Sequence, residues 1–409
     1  MRHILSLFLS LSLPFISLAE DDAHYDAQAI PLAQLEQQLI ELHQPQPLLN
    51  NQKQWLDNQK DIAQSFLSAQ PRLIGELKND QFGKDLGYQN IALGITLPLW
   101  WPSERPLAQN SAKQLVQWHI TQRAAQRQQL RLDLYRVSEA YVSARETLHH
   151  AKLAVEHAQN LLTHVQARQQ AGDLSKFDLV SAHADWQQRQ QDLLMAEQTL
   201  IEKQLAFIQL TAQESLPNIP EQPVAFNPIF NGDNCAGLVS KRAASEFILA
   251  QLTQAEQASS SKPELTFATE QDKADRLSPN NNLARISLSI PLGLTAHRQQ
   301  ASSQLSYELA QARMALAQAQ REISAQWAQL QARFAQSSIQ WQQQQQLNQT
   351  LSQQYTMAQA AFRAGELDLR ELLRIKSSWL EGQHTAELLK YGQIFSALAL
   401  KALQEDTGL

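Results

Sequence analysis

Residues 171–185 read AGDLSKFDLVSAHAD and residues 364–380 read AGELDLRELLRIKSSWL. Each opens on an alanine, a glycine (Gly172, Gly365), an acidic residue and a leucine (Leu174, Leu367). The shift between them, 365 minus 172, is 193, and it also carries Pro98 onto Pro291 and Arg105 onto Arg298. Under the same shift Ile95-Thr96-Leu97-Pro98-Leu99 meets Leu288-Ser289-Ile290-Pro291-Leu292. One offset that fits two separated motifs means that the chain is two copies of one unit.

Between these motifs lie long stretches without a helix breaker. Residues 107–216 and 292–409 contain no proline, and Gly172 is the single glycine of the first stretch. Glycine ends helices readily, so the spacing predicts helices over about 103–170 and 174–212, then about 297–363 and 366–403. A helix of such length is close to 100 Å at about 1.5 Å per residue, more than a globular domain needs. Leu130, Leu134, Val137, Tyr141, Ala144, Leu148, Ala151, Val155, Ala158, Leu162 and Val165 follow one another at four and three residues, a heptad seam. Leu309, Ala312, Leu316, Ala319 and Ile323 repeat it, and a four-residue step then leads to Trp327, Leu330 and Phe334. Such a stutter changes the local supercoil.

Before each long helix come two extended segments, Arg72 to Asp80 and Tyr88 to Leu99, then Glu264 to Asp272 and Leu283 to Leu292. Each pair reads as a hairpin. Ile91, Leu93, Ile95 and Leu97 alternate with small residues, and Ile286, Leu288 and Ile290 alternate with Arg285, Ser287 and Ser289. Alternation alone suits a soluble sheet over a core. Strands of about 9 to 11 residues also match a bilayer crossing, with Trp100-Trp101 placed for an interfacial girdle. In lipid an open sheet edge is forbidden, so four strands would need further copies of the chain to close a barrel. Two copies give eight strands with a filled interior, and three give twelve with room for a lumen. Small inward residues favour the wider one.

The remaining features narrow the function. Of 409 residues, Lys and Arg total 34 against 40 Asp and Glu, a net charge of -6, with no long basic run, so nucleic acid is not the partner. Residues 1–19, with Arg2, an apolar run from Ile4 to Leu18 and Ala19 before Glu20, read as a secretory signal peptide. No cysteine follows that cut, so no lipid anchor is expected, and the lone Cys235 excludes an internal disulfide. No later apolar run reaches 18 residues, so no helical membrane span is expected. Motifs for phosphate loops, zinc hydrolases, thiol redox pairs or serine nucleophiles do not occur. His150, His157 and His164 with His149 form a stripe, but seven-residue steps separate neighbours by roughly 10.5 Å, too far for one shared metal ion.

In order and at constant offset, LPLWWPSER and IPLGLTAHR after the second and fourth strands, with the two Gly-centred segments, resemble the TolC-like outer-membrane efflux proteins of Gram-negative bacteria over essentially the whole mature chain. The resemblance implies a mainly α protomer with a small β part, forming a homotrimer with a twelve-stranded barrel in outer-membrane lipid and an α-helical barrel across the periplasm. Residues 20–212 and 263–409 are then the two repeats. Residues 213–262 form an equatorial linker and short helix, and Leu32 to Leu67 the N-terminal helical part. It further implies a passive duct without ATP or cofactor, served by a periplasmic adaptor and an inner-membrane transporter of the RND type. By resemblance, Asp178 and Glu371 are carboxylates of a periplasmic gate. Arg374 and Phe362 depart from the family pattern, which leaves Arg370 or Arg374 to pair with Glu371 or Asp178. Gly172, Leu174, Gly365 and Leu367 are the expected adaptor-docking residues. A periplasmic coiled-coil scaffold without a pore is the competing reading, which leaves the repeated hairpins unexplained.

Overall fold

The computed structural model describes residues 30–83, 86–230, 232–257, 262–291 and 295–404; the expected signal peptide lies outside the described residues. Two short helices, α1 (Leu32–His43) and α2 (Gln46–Gln64), lead into strands β1 (Arg72–Asn79) and β2 (Gln89–Pro98). Then come α3 (Glu104–Gln170), α4 (Lys176–Thr211), α5 (Ala236–Gln257), strands β3 (Glu264–Lys273) and β4 (Asn281–Ser289), and α6 (Thr295–Ala364) with α7 (Leu369–Gln404). The 67 residues of α3 and the 70 of α6 are uninterrupted. Both follow from the absence of proline and from glycine held back to the turn.

The four strands form one antiparallel sheet in the order β1-β2-β3-β4, so the two hairpins are joined through β2 and β3. Along β2, Asn90, Ala92, Gly94, Thr96 and Pro98 are buried, whereas Ile91, Leu93 and Ile95 are exposed. The period of two therefore sorts the sheet into a small, polar face and an apolar face. Gly94 is required at its place: a Cβ there would lie 2.8 Å from the Phe267 carbonyl oxygen and 2.7 Å from the Ala268 Cβ.

The long helices pair as antiparallel hairpins, α3 with α4 and α6 with α7, and the hairpins meet through α3 and α7. Nearer the sheet, α2 packs on α3, and α5 bridges α3 and α6. Every residue of the two predicted seams is buried or half-buried. Two apolar centres hold the helices midway: one around Leu35, Leu134, Val142, Phe207 and Ile394, another around Cys235, Trp327 and Leu400. Cys235 is fully buried as a free thiol whose Sγ donates to Gln128 Oε1 at 3.3 Å, and burial pushes its pKa up.

Most element ends shift by one to three residues from the sequence reading, and three of these shifts bear on the candidate residues. α4 and α7 begin at Lys176 and Leu369 rather than 174 and 366, because Ser175 and Asp368 take the capping positions. Leu174 and Leu367 therefore lie in the turns. β4 ends at Ser289, so Ile290 follows the strand rather than belonging to it.

Candidate functional site: the helix tips and the apolar sheet face

At the far end of the helical layer, both turns close with the same hydrogen bonds. The Gly172 and Asp173 amides donate to the carbonyls of Gln169 and Arg168, at 3.1 and 2.9 Å. The Gly365 and Glu366 amides donate to those of Phe362 and Ala361 at the same two distances. This double bond pattern needs a left-handed residue after the helix, and Gly172 and Gly365 stand at φ 87 and 78. A Cβ at either would meet nothing within 4 Å, so the turns are open to solvent.

Capping then starts the return helices. Asp178 receives the Ser175 amide at 3.1 Å and the Ser175 hydroxyl at 2.7 Å, while its own amide donates to Ser175 Oγ at 3.2 Å, a reciprocal capping box. In the second turn Asp368 Oδ1 accepts from the Glu371 amide at 2.7 Å. The Glu371 side chain is thereby spared, and Arg374 takes it with two hydrogen bonds of 2.9 and 2.6 Å. That guanidinium holds the Glu371 carboxyl below its ordinary value. Of the alternatives left open by sequence, the structure brings together Arg374 and Glu371; Arg370, the residue before Glu371, is exposed. Asp178 is bound to its own helix start and, among the described residues, to no arginine.

Under both turns lies a third apolar cluster, built on Leu162, Val165, Phe362, Leu369, Leu372 and Ile375, with Leu174 and Leu367 packed against it. The two leucines are half-buried, so part of each side chain serves its own turn. Phe177 and Val180, at 65% and 67% exposure, offer more apolar surface than either. Sequence reasoning passed over them because they lie outside the seam.

It also missed three interhelical contacts. Arg168 Nη1 donates to the Phe362 carbonyl at 2.9 Å, joining the end of α3 to that of α6. The His150 ring of α3 lies 5.0 Å from that of His384 on α7, and Thr147 Oγ1 is 3.0 Å from His384 Nε2. Burial first, then the neighbouring imidazoles, depress His150 to about 4. Lys376 on α7 is 5% exposed, and its Nζ makes no hydrogen bond among the described residues. Burial pushes it down to about 8 against the pull of Asp185. Of the histidine stripe, His150 and His157 thus face α7, His157 meeting the Trp379 ring edge-on at 5.7 Å, whereas His149 and His164 are exposed. Among the described residues no group of three potential ligands could hold a metal ion.

At the opposite end, cross-strand register aligns Leu73, Ile95, Phe267 and Ile286 in one row. Their exposures are 81%, 49%, 44% and 71%. The next row, Leu97, Leu265 and Leu288, continues the same face, on which Ile91 and Leu93 also lie. The other face carries the Arg72–Glu264 and Arg285–Glu270 ion pairs and Thr96 on Thr266 at 2.9 Å. Where the sheet meets the helices, the Trp100 indole donates to the Ser65 carbonyl at 3.0 Å, under the Lys262 ammonium, which pairs with the buried Glu104. No described helix is long and apolar enough to cross a membrane.

No family model matches the chain, and no curated protein sequence does. Solved structures do. The Campylobacter jejuni CmeC outer membrane channel superposes with a TM-score of 0.75 at 14% identity, covering 100% of this chain and 96% of its own. CusC, whose structures concern folding and transmembrane channel formation, gives 0.73 at 15% identity over 95% of both chains. The outer membrane protein VceC of Vibrio cholerae gives 0.70 at 14% identity, over 91% of this chain and 96% of that one. The chain has the TolC-like fold of these outer-membrane proteins from end to end.

Proposed function

We propose that the protein is the outer-membrane channel of a tripartite efflux pump, a passive duct that three copies build together. The observation that carries this reading is the exposed apolar row Leu73, Ile95, Phe267 and Ile286 on a sheet whose edge strands, β1 and β4, each lack a partner on one side among the described residues. Water rejects such a face, and lipid rejects such edges. Pairing β1 of one copy with β4 of the next satisfies both demands, and three copies give a twelve-stranded barrel wide enough for a lumen lined by the small, ion-paired face.

The helices support the same closure. In the tip half the layer runs α4, α3, α7, α6, so α4 and α6 are its edges. Leu194, Ile201 and Leu205 on α4 and Met314, Ile339 and Met357 on α6 are apolar and exposed, as expected of faces that meet in an assembly. At the tips, Glu371 with Arg374, and Asp178, form the constriction, and Gly172, Leu174, Gly365 and Leu367 receive the adaptor of an inner-membrane transporter. Small toxic compounds or metal ions are the cargo. Energy is supplied by the transporter, and the channel performs no catalysis.

Separation of inner and outer membranes on a density gradient tests the class. The protein is expected with the outer membrane, released only by detergent and trimeric after mild cross-linking. Recovery in the soluble periplasm would sink the channel reading.

A further inference from the structure

Directly beneath the sheet, α2 and the start of α3 enclose a groove of roughly 750 Å³. Its cations are Lys60, Arg105 and Lys113, its apolar floor is Ala63, Ala112 and Val116, and three glutamines complete the lining. No carboxylate lines it, in a chain whose net charge is -6. Arg105 is anchored by donating to the Gln64 carbonyl, and Lys60 makes a long, exposed ion pair with Asp57 at 3.8 Å on α2. Arg105 and Lys113 are exposed and Lys60 is half-buried, so the three ammonium and guanidinium groups remain open to a ligand.

The internal repeat supplies a control. The 193-residue shift carries α2 onto α5 and the start of α3 onto the start of α6, with Gln64 falling on Gln257, the last residue of α5. It carries Lys60 to Thr253, Ala63 to Glu256 and Lys113 to Ser306, and only Arg105 to another cation, Arg298. Three positive charges and no negative one become one of each. Both helix pairs form, so the cations of the first repeat are not demanded by helix packing.

Depth indicates the ligand. In a bilayer the headgroup layers add roughly 5–8 Å on each side of a hydrocarbon core about 30 Å thick. The lowest apolar row, Leu97, Leu265 and Leu288, adjoins the end of β2 at Pro98, and Arg105 lies in the first turn of α3. Lys60 is one turn before the end of α2 at Gln64, and Lys113 is about 12 Å farther along α3. Lys60 and Arg105 therefore stand at headgroup level and Lys113 just beyond it. We infer that this groove is a binding site for the phosphate headgroup of an anionic phospholipid of the periplasmic leaflet, held by Lys60 and Arg105 with Lys113 meeting the outer part of the headgroup. Charge-assisted hydrogen bonds from a guanidinium and an ammonium suit a phosphodiester, and the glutamines suit its hydroxyl-bearing headgroup. The inference rests on the outer-membrane reading.

The test uses the full chain in detergent, followed by its thermal unfolding with phosphatidylglycerol, phosphatidylcholine or inorganic phosphate. Phosphatidylglycerol is expected to raise the transition temperature, to do so equally in Lys241→Gln on α5, and to fail in Lys60→Gln/Arg105→Gln. Should that double variant not fold, Lys113→Gln is expected to need several-fold more phosphatidylglycerol for the same shift. An equal shift with phosphatidylcholine would overturn recognition of an anionic lipid. The same shift with inorganic phosphate would assign the groove to the free anion. A detergent-released outer-membrane protein whose response to phosphatidylglycerol is unchanged in all these variants would refute this site alone, whereas a soluble periplasmic protein would refute the channel reading beneath it.

Discussion

The Arg168 guanidinium, in the last turn of α3, donates to the Phe362 carbonyl at 2.9 Å and lies 5.2 Å from the centroid of the same residue's ring. One side chain thus ties together the tips of the two repeats. It supplies a cation to the negative end of α6 and covers an aromatic ring that is itself 6% exposed. The shift of 193 carries Arg168 to Ala361, so the tie runs one way only. Arg168→Ala removes a charged hydrogen bond and a cation–π contact, together worth about 1–2 kcal/mol at a half-exposed place. If the tips form the constriction, single-channel conductance in a planar bilayer is expected to rise, with the trimer intact. Unchanged conductance would take Arg168 out of the gate.

Glu371→Ala removes the partner of Arg374 and is also expected to raise conductance. The pair has a definite pH sense. Because the Arg374 hydrogen bonds hold the Glu371 carboxyl below 4.5, the interaction is fully present above that value and is lost as pH falls through the lowered one. Wild-type channels should therefore become more conductive on the acid side, and Glu371→Ala channels should respond less. An identical acid response in both would show that the gate is held elsewhere.

The buried histidines predict a second acid effect, on stability. His150 titrates near 4 in the folded protein against 6.5 ordinarily, and burial lowers His384 as well. Between those values the unfolded chain binds more protons, so stability is unaffected above about pH 6.5 and falls as pH drops toward 4. Circular-dichroism melts at pH 7 and pH 4.5 should show a smaller drop for His150→Gln/His384→Gln than for wild type. Equal drops in the two proteins would count against the α3–α7 histidines as the source.

Gly94→Val places a branched side chain against the Phe267 carbonyl and the Ala268 Cβ at the β2–β3 junction. Overpacking of this kind costs about 1–3 kcal/mol, here at the link between the two hairpins. Less trimer is expected on cross-linking after outer-membrane extraction, with helix content by circular dichroism unchanged. Wild-type trimer yield would mean that the sheet absorbs the strain.

Gly365→Trp probes docking. The turn has open space, but at φ 78 any side chain is strained, so a small loss of stability is expected alongside a blocked surface. Cells carrying the variant should keep the trimer and lose efflux. The matched substitution Gly365→Ala, strained in the same way yet small, should retain most efflux; equal loss in both would point to backbone strain instead of docking.

The sequence by itself determined the repeat, the element order and the seams. Those depend on local quantities: a period of seven that must bury one stripe, a period of two that must sort two faces, and glycine where a helix turns left-handed. Leu134, Ala144, Leu162 and Val165 are buried because that stripe has nowhere else to go. Tertiary structure decided which charges meet. Asp178 and Glu371 are equivalent under the 193-residue shift, yet one is consumed by its own helix cap and the other by Arg374, because Ser175 can both accept and donate where Asp368 can only accept. Arg168 and Phe362 lie 194 residues apart, His150 and His384 lie 234 apart, and Lys376 has its nearest charges on another helix, α4; no periodicity encodes which faces of such helices will touch. Side-chain reach across an interface is set by the rotation of each helix about its axis, which only packing of the whole layer fixes.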